Sequence, residues 1–128
     1  MLKPFQRPRL WLALWCAAVL LVIVFSLTPP PPMALPRHGD KVEHVLAYAV
    51  LAAGAVQLFA GRVRLLGTGL GLVAMGVALE FAQGALTATR MADPWDALAN
   101  TSGVMLGLAS ALLPWRDALL HLEPGRRR

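Results

Sequence analysis

The sequence predicts an all-α, polytopic membrane protein, a bundle of about four transmembrane helices with both termini in the cytoplasm. Of its 128 residues, 57% are hydrophobic and only 15% are charged, which is rare in a soluble domain. The apolar residues form runs that approach the roughly 20 residues needed to cross a hydrocarbon core. Basic residues stand mostly at the ends of these runs, so membrane topology explains the net charge of +5 better than a nucleic-acid partner does.

The first helix is predicted over residues 10–27. Basic residues precede this run, as they do in a secretory signal peptide, but it is longer than the roughly 7 to 15 apolar residues of a signal sequence. We therefore expect a retained membrane helix. Residues 29–32 are four consecutive prolines, which end the helix because proline lacks the amide donor and clashes with the preceding turn.

Three further helices are predicted over residues 42–60, 65–86 and 96–113, and all four belong to a single domain over residues 1–128. Asp40 is expected to cap the first turn of the second helix. The third helix is rich in small residues that permit close helix contact in lipid. These residues are Gly67, Gly69, Gly71 and Gly76.

The orientation follows from the basic residues beside each predicted span. Three basic groups lie before the first span, between the second and third, and after the fourth, so they share one side of the membrane. By the positive-inside rule this side is cytoplasmic. The sequence therefore predicts a multi-pass protein of the bacterial inner membrane. The basic residues are Lys3, Arg7, Arg9, Arg62, Arg64, Arg116 and Arg126 to Arg128.

Polar side chains interrupt the predicted helices near the opposite, outward-facing end. Asp40, His44 and Tyr48 are spaced four residues apart and so share one helix face. Glu80 and Gln83 are one turn apart in the third helix. Charged groups in lipid are costly and usually functional, so we expect the stripes to converge on one small pocket. The other polar residues expected there are Lys41, Glu43, Arg90, Asp93, Asp96 and Asn100.

The fourth predicted helix combines a polar stripe with a packing motif. Asp93, Asp96 and Asn100 stand at i, i+3 and i+7, and Asn100 continues into Gly103 and Gly107 on roughly the same face. A GxxxG step lets a neighbouring helix approach closely. We therefore expect this face to lie inside the bundle.

An ordered set of motifs in this chain resembles the VanZ-like family of small membrane proteins, named after a teicoplanin-resistance factor. The motifs are Asp40-Lys41-x-x-His44-x-x-x-Tyr48, Glu80-x-x-Gln83 followed by Arg90, and Asp96-x-x-x-Asn100-x-x-Gly103-x-x-x-Gly107. The resemblance covers nearly everything from Asp40 to Leu108. It implies a polytopic bacterial membrane protein connected with the cell envelope and with glycopeptide susceptibility, and it supplies no biochemical mechanism.

The outward-facing residues suggest a site for an anionic substrate. A carboxylate beside His44 would orient the imidazole and raise its basicity for acid/base chemistry. Lys41 and Arg90 suit an anionic group, such as the phosphate of a lipid-linked cell-wall precursor or a phospholipid head group. The candidate catalytic residues are His44, Glu80 and Asp96, and the candidate substrate-binding residues are Lys41, Tyr48, Gln83, Arg90 and Asn100.

A structural alternative is that the polar residues only hold the helices together, with Lys41 and Arg90 pairing carboxylates. The chain would then be a non-catalytic bundle that binds a partner or forms a homo-oligomer, and the sequence leaves open whether any reaction is catalysed. Asp40, Asp93, Gly103 and Gly107 are assigned to the structural frame in either case.

No cofactor and no metal site are predicted. A zinc site of His44 with Asp40, Glu80 or Asp96 is the weakest option, because only one histidine lies near the cluster. Four tryptophans near the predicted span ends are interpreted as interfacial anchors. They are Trp11, Trp15, Trp95 and Trp115.

Overall fold

The computed structural model describes residues 1–28, 39–86 and 93–123, and these are helical with no strand apart from an isolated bridge between Leu2 and Phe59. The prediction of an all-α protein is confirmed. The helices are α1 (Pro8–Leu27), α2 (Gly39–Leu58), α3 (Arg62–Leu86), α4 (Pro94–Ala109) and the short α5 (Ala118–Leu122), with a 3₁₀ turn at Ser110–Leu112.

The helix ends follow local chemistry. Pro8 and Pro94 occupy the first turns of α1 and α4, where a missing amide donor costs nothing. The Asp93 carboxylate caps α4 by accepting from the Trp95 amide at 2.9 Å. Gly61 adopts a φ of +94°, which favours glycine, and so allows the tight turn from α2 to α3.

Six of the eight predicted helix boundaries differ from the structure by two to four residues. The fourth helix ends at Ala109, short of the predicted residue 113, because the chain tightens into the 3₁₀ turn before Leu113. The second helix begins at Gly39, so Asp40 lies within its first turn and is not the residue that precedes it. The side chain of Asp40 lies outside the described residues, as does the whole of Arg90.

Two helices are long and apolar enough to cross a membrane: Pro8–Leu27 and Arg62–Ala85. Helices α2 and α4 do not meet this standard of length and apolarity, for simple reasons. The fourth has 16 residues, and the second carries Lys41 and Glu43 in its first turns. Length and apolarity by themselves thus support two spans of the four that the sequence analysis predicts, and they leave the orientation of the termini unaddressed.

The centre of the fold is the contact between α2 and α4. A Cβ added at Gly103 would lie 2.4 Å from the Val45 carbonyl oxygen, and one at Gly107 would lie 2.4 Å from the Ala49 carbonyl oxygen. Both distances are too short for any side chain. The two glycines therefore bring the backbones of α2 and α4 into direct contact.

Helix α3 packs on this pair through two of its four candidate glycines. A Cβ at Gly76 would lie 3.1 Å from the Asn100 Cβ, and one at Gly69 would lie 2.6 Å from the Leu108 Cδ1. At Gly67 and Gly71 an added Cβ would meet no described atom within 4 Å. The prediction of close contact at all four was too broad, since only one face of α3 turns toward the bundle.

Helix α1 joins the bundle through Trp15. Its indole Nε1 donates to the Leu51 carbonyl oxygen at 2.9 Å, and its ring packs against Gly54 and edge-on against Phe59. Trp15 therefore makes a helix contact, and its role as an interfacial anchor stays a prediction. Trp11 similarly donates to the Glu123 carboxylate.

Candidate functional site

Polar side chains from three helices meet where α2 and α4 begin and α3 approaches its end. We call this region the His44 end. One ligand atom from each of His44 (α2), Glu80 (α3) and Asp96 (α4) lies within 4.8 Å of the other two. The polar cluster, as the term is used below, consists of Lys41, His44, Tyr48, Glu80, Gln83, Asp93, Asp96 and Asn100.

Lys41 bridges the first turns of α2 and α4. Its Nζ contacts Asp93 Oδ2 at 2.8 Å and Asp96 Oδ1 at 2.7 Å. The hydrogen bonds to Asp93 and then Asp96 raise the pKa of Lys41, and the bond from Lys41 holds the pKa of Asp93 below its usual range. In this arrangement Lys41 pairs carboxylates, as the structural alternative expects, and an anionic substrate would compete with them.

His44 is oriented by a buried amide. Its Nδ1 lies 2.9 Å from the Oδ1 of Asn100, which is only 2% exposed. Because an amide oxygen only accepts, Nδ1 carries the proton, and in the neutral ring Nε2 keeps its lone pair. Asn100 therefore fixes both the ring plane and the tautomer of His44.

Tyr48 and Glu80 form the buried side of the cluster. Tyr48 is 1% exposed and Glu80 is 5% exposed, although both come from apolar helices. The Tyr48 hydroxyl would lie 3.2 Å from a Cβ at Gly76 and interacts electrostatically with the Glu80 carboxylate. This hydroxyl has no hydrogen-bond partner among the described residues. A buried carboxylate of this kind costs about 3 kcal/mol when ionised at the centre of a membrane helix.

Gln83 connects the cluster to α1. Its Nε2 donates to the Ser26 carbonyl oxygen at 2.6 Å. That carbonyl is in the last turn of α1, where no amide of the same helix is available to it. Gln83 was interpreted as a substrate-binding residue, and here its amide holds the end of α1 against α3.

A cavity of about 200 Å³ lies beside His44, between α1 and α2. The contribution of α1 was missed by the sequence analysis, in which α1 served only as a span. A polar Ser26 near the end of an apolar run was the available signal. The lining residues are Val22, Phe25, Ser26, Glu43, His44, Ala47 and Tyr48.

The charges of the described residues at the His44 end are mostly negative. Glu43, Glu80, Asp93 and Asp96 face a single described cation, Lys41. Arg90, the predicted holder of an anion, lies outside the described residues. The described part of the site therefore attracts a cation more readily than a bare anion.

Fold and site together define an all-α protein with two helices able to cross a membrane and a convergent polar cluster at one end. Comparisons of the chain with protein-family models, with curated proteins and with solved structures found no match. Its function is therefore inferred from its own residues.

Proposed function

We propose that this chain is a four-span, VanZ-like protein of the bacterial inner membrane whose His44 end faces outward and binds the head group of an anionic envelope lipid or lipid-linked cell-wall precursor. One observation carries the proposal. Ligand atoms of His44, Glu80 and Asp96, from three different helices, converge, and His44 also lines a cavity to which the apolar helix α1 contributes.

The exposed surface supports four membrane-embedded helices. Leu46 and Val50 on α2 and Met105 and Leu106 on α4 are all more than half exposed, and α1 has no buried residue. Apolar patches of this extent are unfavourable in water but match lipid. The close α2–α4 contact through glycine is also typical of helix packing in membranes.

The distribution of charge supports the orientation. Lys3, Arg62 and Arg116 line a second cavity, of about 510 Å³, where α2 ends and α3 begins. We call this region the Lys3 end. The positive-inside rule puts a basic end of this kind in the cytoplasm, which leaves the His44 end on the outer side.

The cavity beside His44 suits an amphiphile. Its volume admits a phosphate or small head group, while Val22 and Phe25 supply an apolar wall that continues into the lipid-facing surface of α1. An acyl or isoprenoid chain could stay in the bilayer while its head group reaches His44. His44, which lines the cavity, would then contact the head group.

A non-catalytic bundle is the second candidate. The bonds of Lys41 to Asp93 and Asp96, and of Gln83 to the Ser26 carbonyl, join separate helices and would serve architecture alone. The two candidate functions predict different effects of replacing His44: lipid binding is weakened if the site binds a head group, and is unchanged if the cluster is only structural.

The test is lipid binding by purified protein in nanodiscs, with an isoprenoid monophosphate as the probe and native mass spectrometry as the readout. We expect His44→Ala to weaken binding at least about tenfold, or about 1.4 kcal/mol, with little change in melting temperature. His44→Gln keeps an amide donor for Asn100 but lacks a basic nitrogen, so it should bind equally poorly. His121→Ala, at the exposed end of α5, is the matched control. Equal binding by all four proteins would favour the non-catalytic bundle.

A further inference from the structure

The geometry of His44, Glu80 and Asp96 resembles an open metal site. Their three ligand atoms lie within 4.8 Å of one another. Around a zinc ion with bonds of about 2.0 to 2.2 Å, neighbouring ligand atoms stand roughly 3 to 3.5 Å apart. A movement of about an ångström, within the reach of ordinary side-chain rotation, would close the three atoms around one ion.

The hydrogen bond of His44 is of the kind that a metal-binding histidine makes. With Nδ1–H donated to Asn100 Oδ1 at 2.9 Å, the remaining nitrogen, Nε2, offers a lone pair. Metal-binding histidines almost always donate their second ring N–H to an oxygen in this way, which fixes the tautomer and raises ligand basicity. Asn100 is itself held by the close packing of Gly76 against it.

An independent observation is the hydroxyl of Tyr48. It is buried, lacks a hydrogen-bond partner among the described residues, and interacts electrostatically with Glu80. Leaving such a group unsatisfied costs about 1 to 3 kcal/mol. Water bound to an ion between His44 and Glu80 would be a strong hydrogen-bond donor, and the Tyr48 oxygen could accept a hydrogen bond from it.

The charges also fit a divalent cation. Lys41 occupies Oδ1 of Asp96, which leaves Oδ2 for an ion, and Lys41 is balanced by Asp93 on its other side. Glu80 and Asp96 together supply the two negative charges that a divalent ion requires.

We infer that His44, Glu80 and Asp96 bind one divalent transition-metal ion, with Zn²⁺ as the best match for one imidazole and two carboxylates and an open position directed at the cavity. The inference deepens the proposed function and rests on it, since the ion would offer an anionic head group an open position, whereas Lys41 is paired with carboxylates. Its binding can nevertheless be measured without any lipid substrate.

The test is metal binding by the full chain in nanodiscs after chelator treatment, with Zn²⁺ and Mn²⁺ as probes, by isothermal titration and elemental analysis. We expect one ion per chain and a rise in melting temperature on binding. Glu80→Gln, His44→Gln and Asp96→Asn should each weaken binding at least about tenfold. Glu123→Gln makes the same chemical change at the opposite end of the bundle, beside Trp11 and Arg7, and should bind metal like wild type.

Absence of stoichiometric binding of either ion to the wild type would overturn the inference, as would equal losses in Glu123→Gln and Glu80→Gln. If Glu80→Gln does not fold, the metal affinity of Asp96→Asn, at the end of the bundle, tests the inference in its place. Measuring lipid binding with and without chelator separates the two proposals. Metal binding without lipid binding contradicts the proposed function alone. A protein that binds no metal, and binds lipid equally well with and without chelator, contradicts the inference alone.

Discussion

The two ends of the bundle use polar side chains in different ways. At the Lys3 end they bind the backbone of neighbouring segments. Lys3 Nζ donates to the carbonyl oxygens of Val56 at 2.7 Å and Arg116 at 2.6 Å, and it pairs with Asp117 at 2.8 Å. Gln57 both donates to and accepts from the backbone of the C-terminal segment. These bonds tie the first residues, the end of α2 and the segment around α5 together.

At the His44 end, by contrast, side chains mostly meet other side chains. His44 bonds to Asn100, Lys41 bonds to two carboxylates, and the Tyr48 hydroxyl is buried among them. Bonding of side chains to backbone fixes architecture, whereas converging side chains beside a cavity leave capacity for a ligand. We therefore expect the basic end to hold the bundle together and the acidic end to bind the ligand.

The largest expected effect concerns which end of the bundle faces the outside of the cell. In a chain with Cys16 replaced by serine, single cysteines at Trp95 and Val63 lie at the His44 and Lys3 ends respectively, and both positions are exposed. We expect an impermeant thiol reagent on intact cells to label the cysteine at 95 and not the one at 63. After membrane disruption both should react, which is the control. The reverse pattern would place the His44 end in the cytoplasm and contradict the proposed orientation.

The largest expected loss of stability comes from the α2–α4 contact, on which both ends depend. Gly107→Val would drive a side chain into the Ala49 carbonyl and the Ala52 Cβ, each within 2.5 Å of an added Cβ. Overpacking of this kind costs about 3 kcal/mol. We expect a sharply lower melting temperature in detergent. Gly71→Val, with open space around the added Cβ, should be nearly neutral, and similar losses for both would contradict the packing described.

The two lysines should separate stability from binding. Lys3 is 10% exposed and bonds to two carbonyls and a carboxylate, so Lys3→Met should cost about 2 kcal/mol and leave lipid and metal binding unchanged. Lys41 is a third exposed, and Lys41→Met should cost about 1 kcal/mol or less. Because Lys41→Met also frees Asp96 Oδ1, we expect tighter Zn²⁺ binding. Loss of binding in the Lys3 variant alone would reverse our assignment of the two ends.

The smallest expected effect is on the pH dependence of stability. The pKa of Asp93 is lowered by Lys41, so this pairing stabilises the fold above the usual carboxyl pKa of 3.8 and is lost as the pH falls through the lower, folded value. The pKa of Lys41 is raised, so its contribution is complete below its usual value of 10.5 and is lost only at still higher pH. We expect the melting temperature of the wild type to fall more steeply below about pH 4 than that of Asp93→Asn. The Lys3 partner Asp117 has a lowered pKa as well and remains in both proteins, so identical profiles would show that the Lys3 end dominates acid sensitivity.

Sequence patterns predicted the helices well because the signals are local. Apolar runs, the prolines in the first turns of α1 and α4, and Gly61 in the α2–α3 turn act through neighbouring residues only. The spacing of His44 and Tyr48, and of Glu80 and Gln83, likewise follows from helical geometry. The structure brings these stripes together at one end of the bundle, although the positions of the Asp40 side chain and of Arg90 lie outside the described residues.

The partners of individual side chains could not be predicted in the same way. Trp15 was predicted as an interfacial anchor, and its hydrogen bond to the Leu51 carbonyl was not foreseen. Gln83 was predicted to bind substrate, and its bond to the Ser26 carbonyl was likewise not foreseen. Such contacts depend on how each helix is rotated about its axis and how far it slides along its neighbour.

The sequence by itself determined the helical class and the approximate positions of the helices, because hydrophobic burial and backbone chemistry act over a few turns. It also determined which residues carry charge into apolar helices. Only the tertiary structure decided that Lys41 pairs with Asp93 and Asp96, that Asn100 orients His44, and that α1 closes a cavity beside them. The reason is that a local pattern defines a helix face, whereas the packing of several helices selects which faces meet.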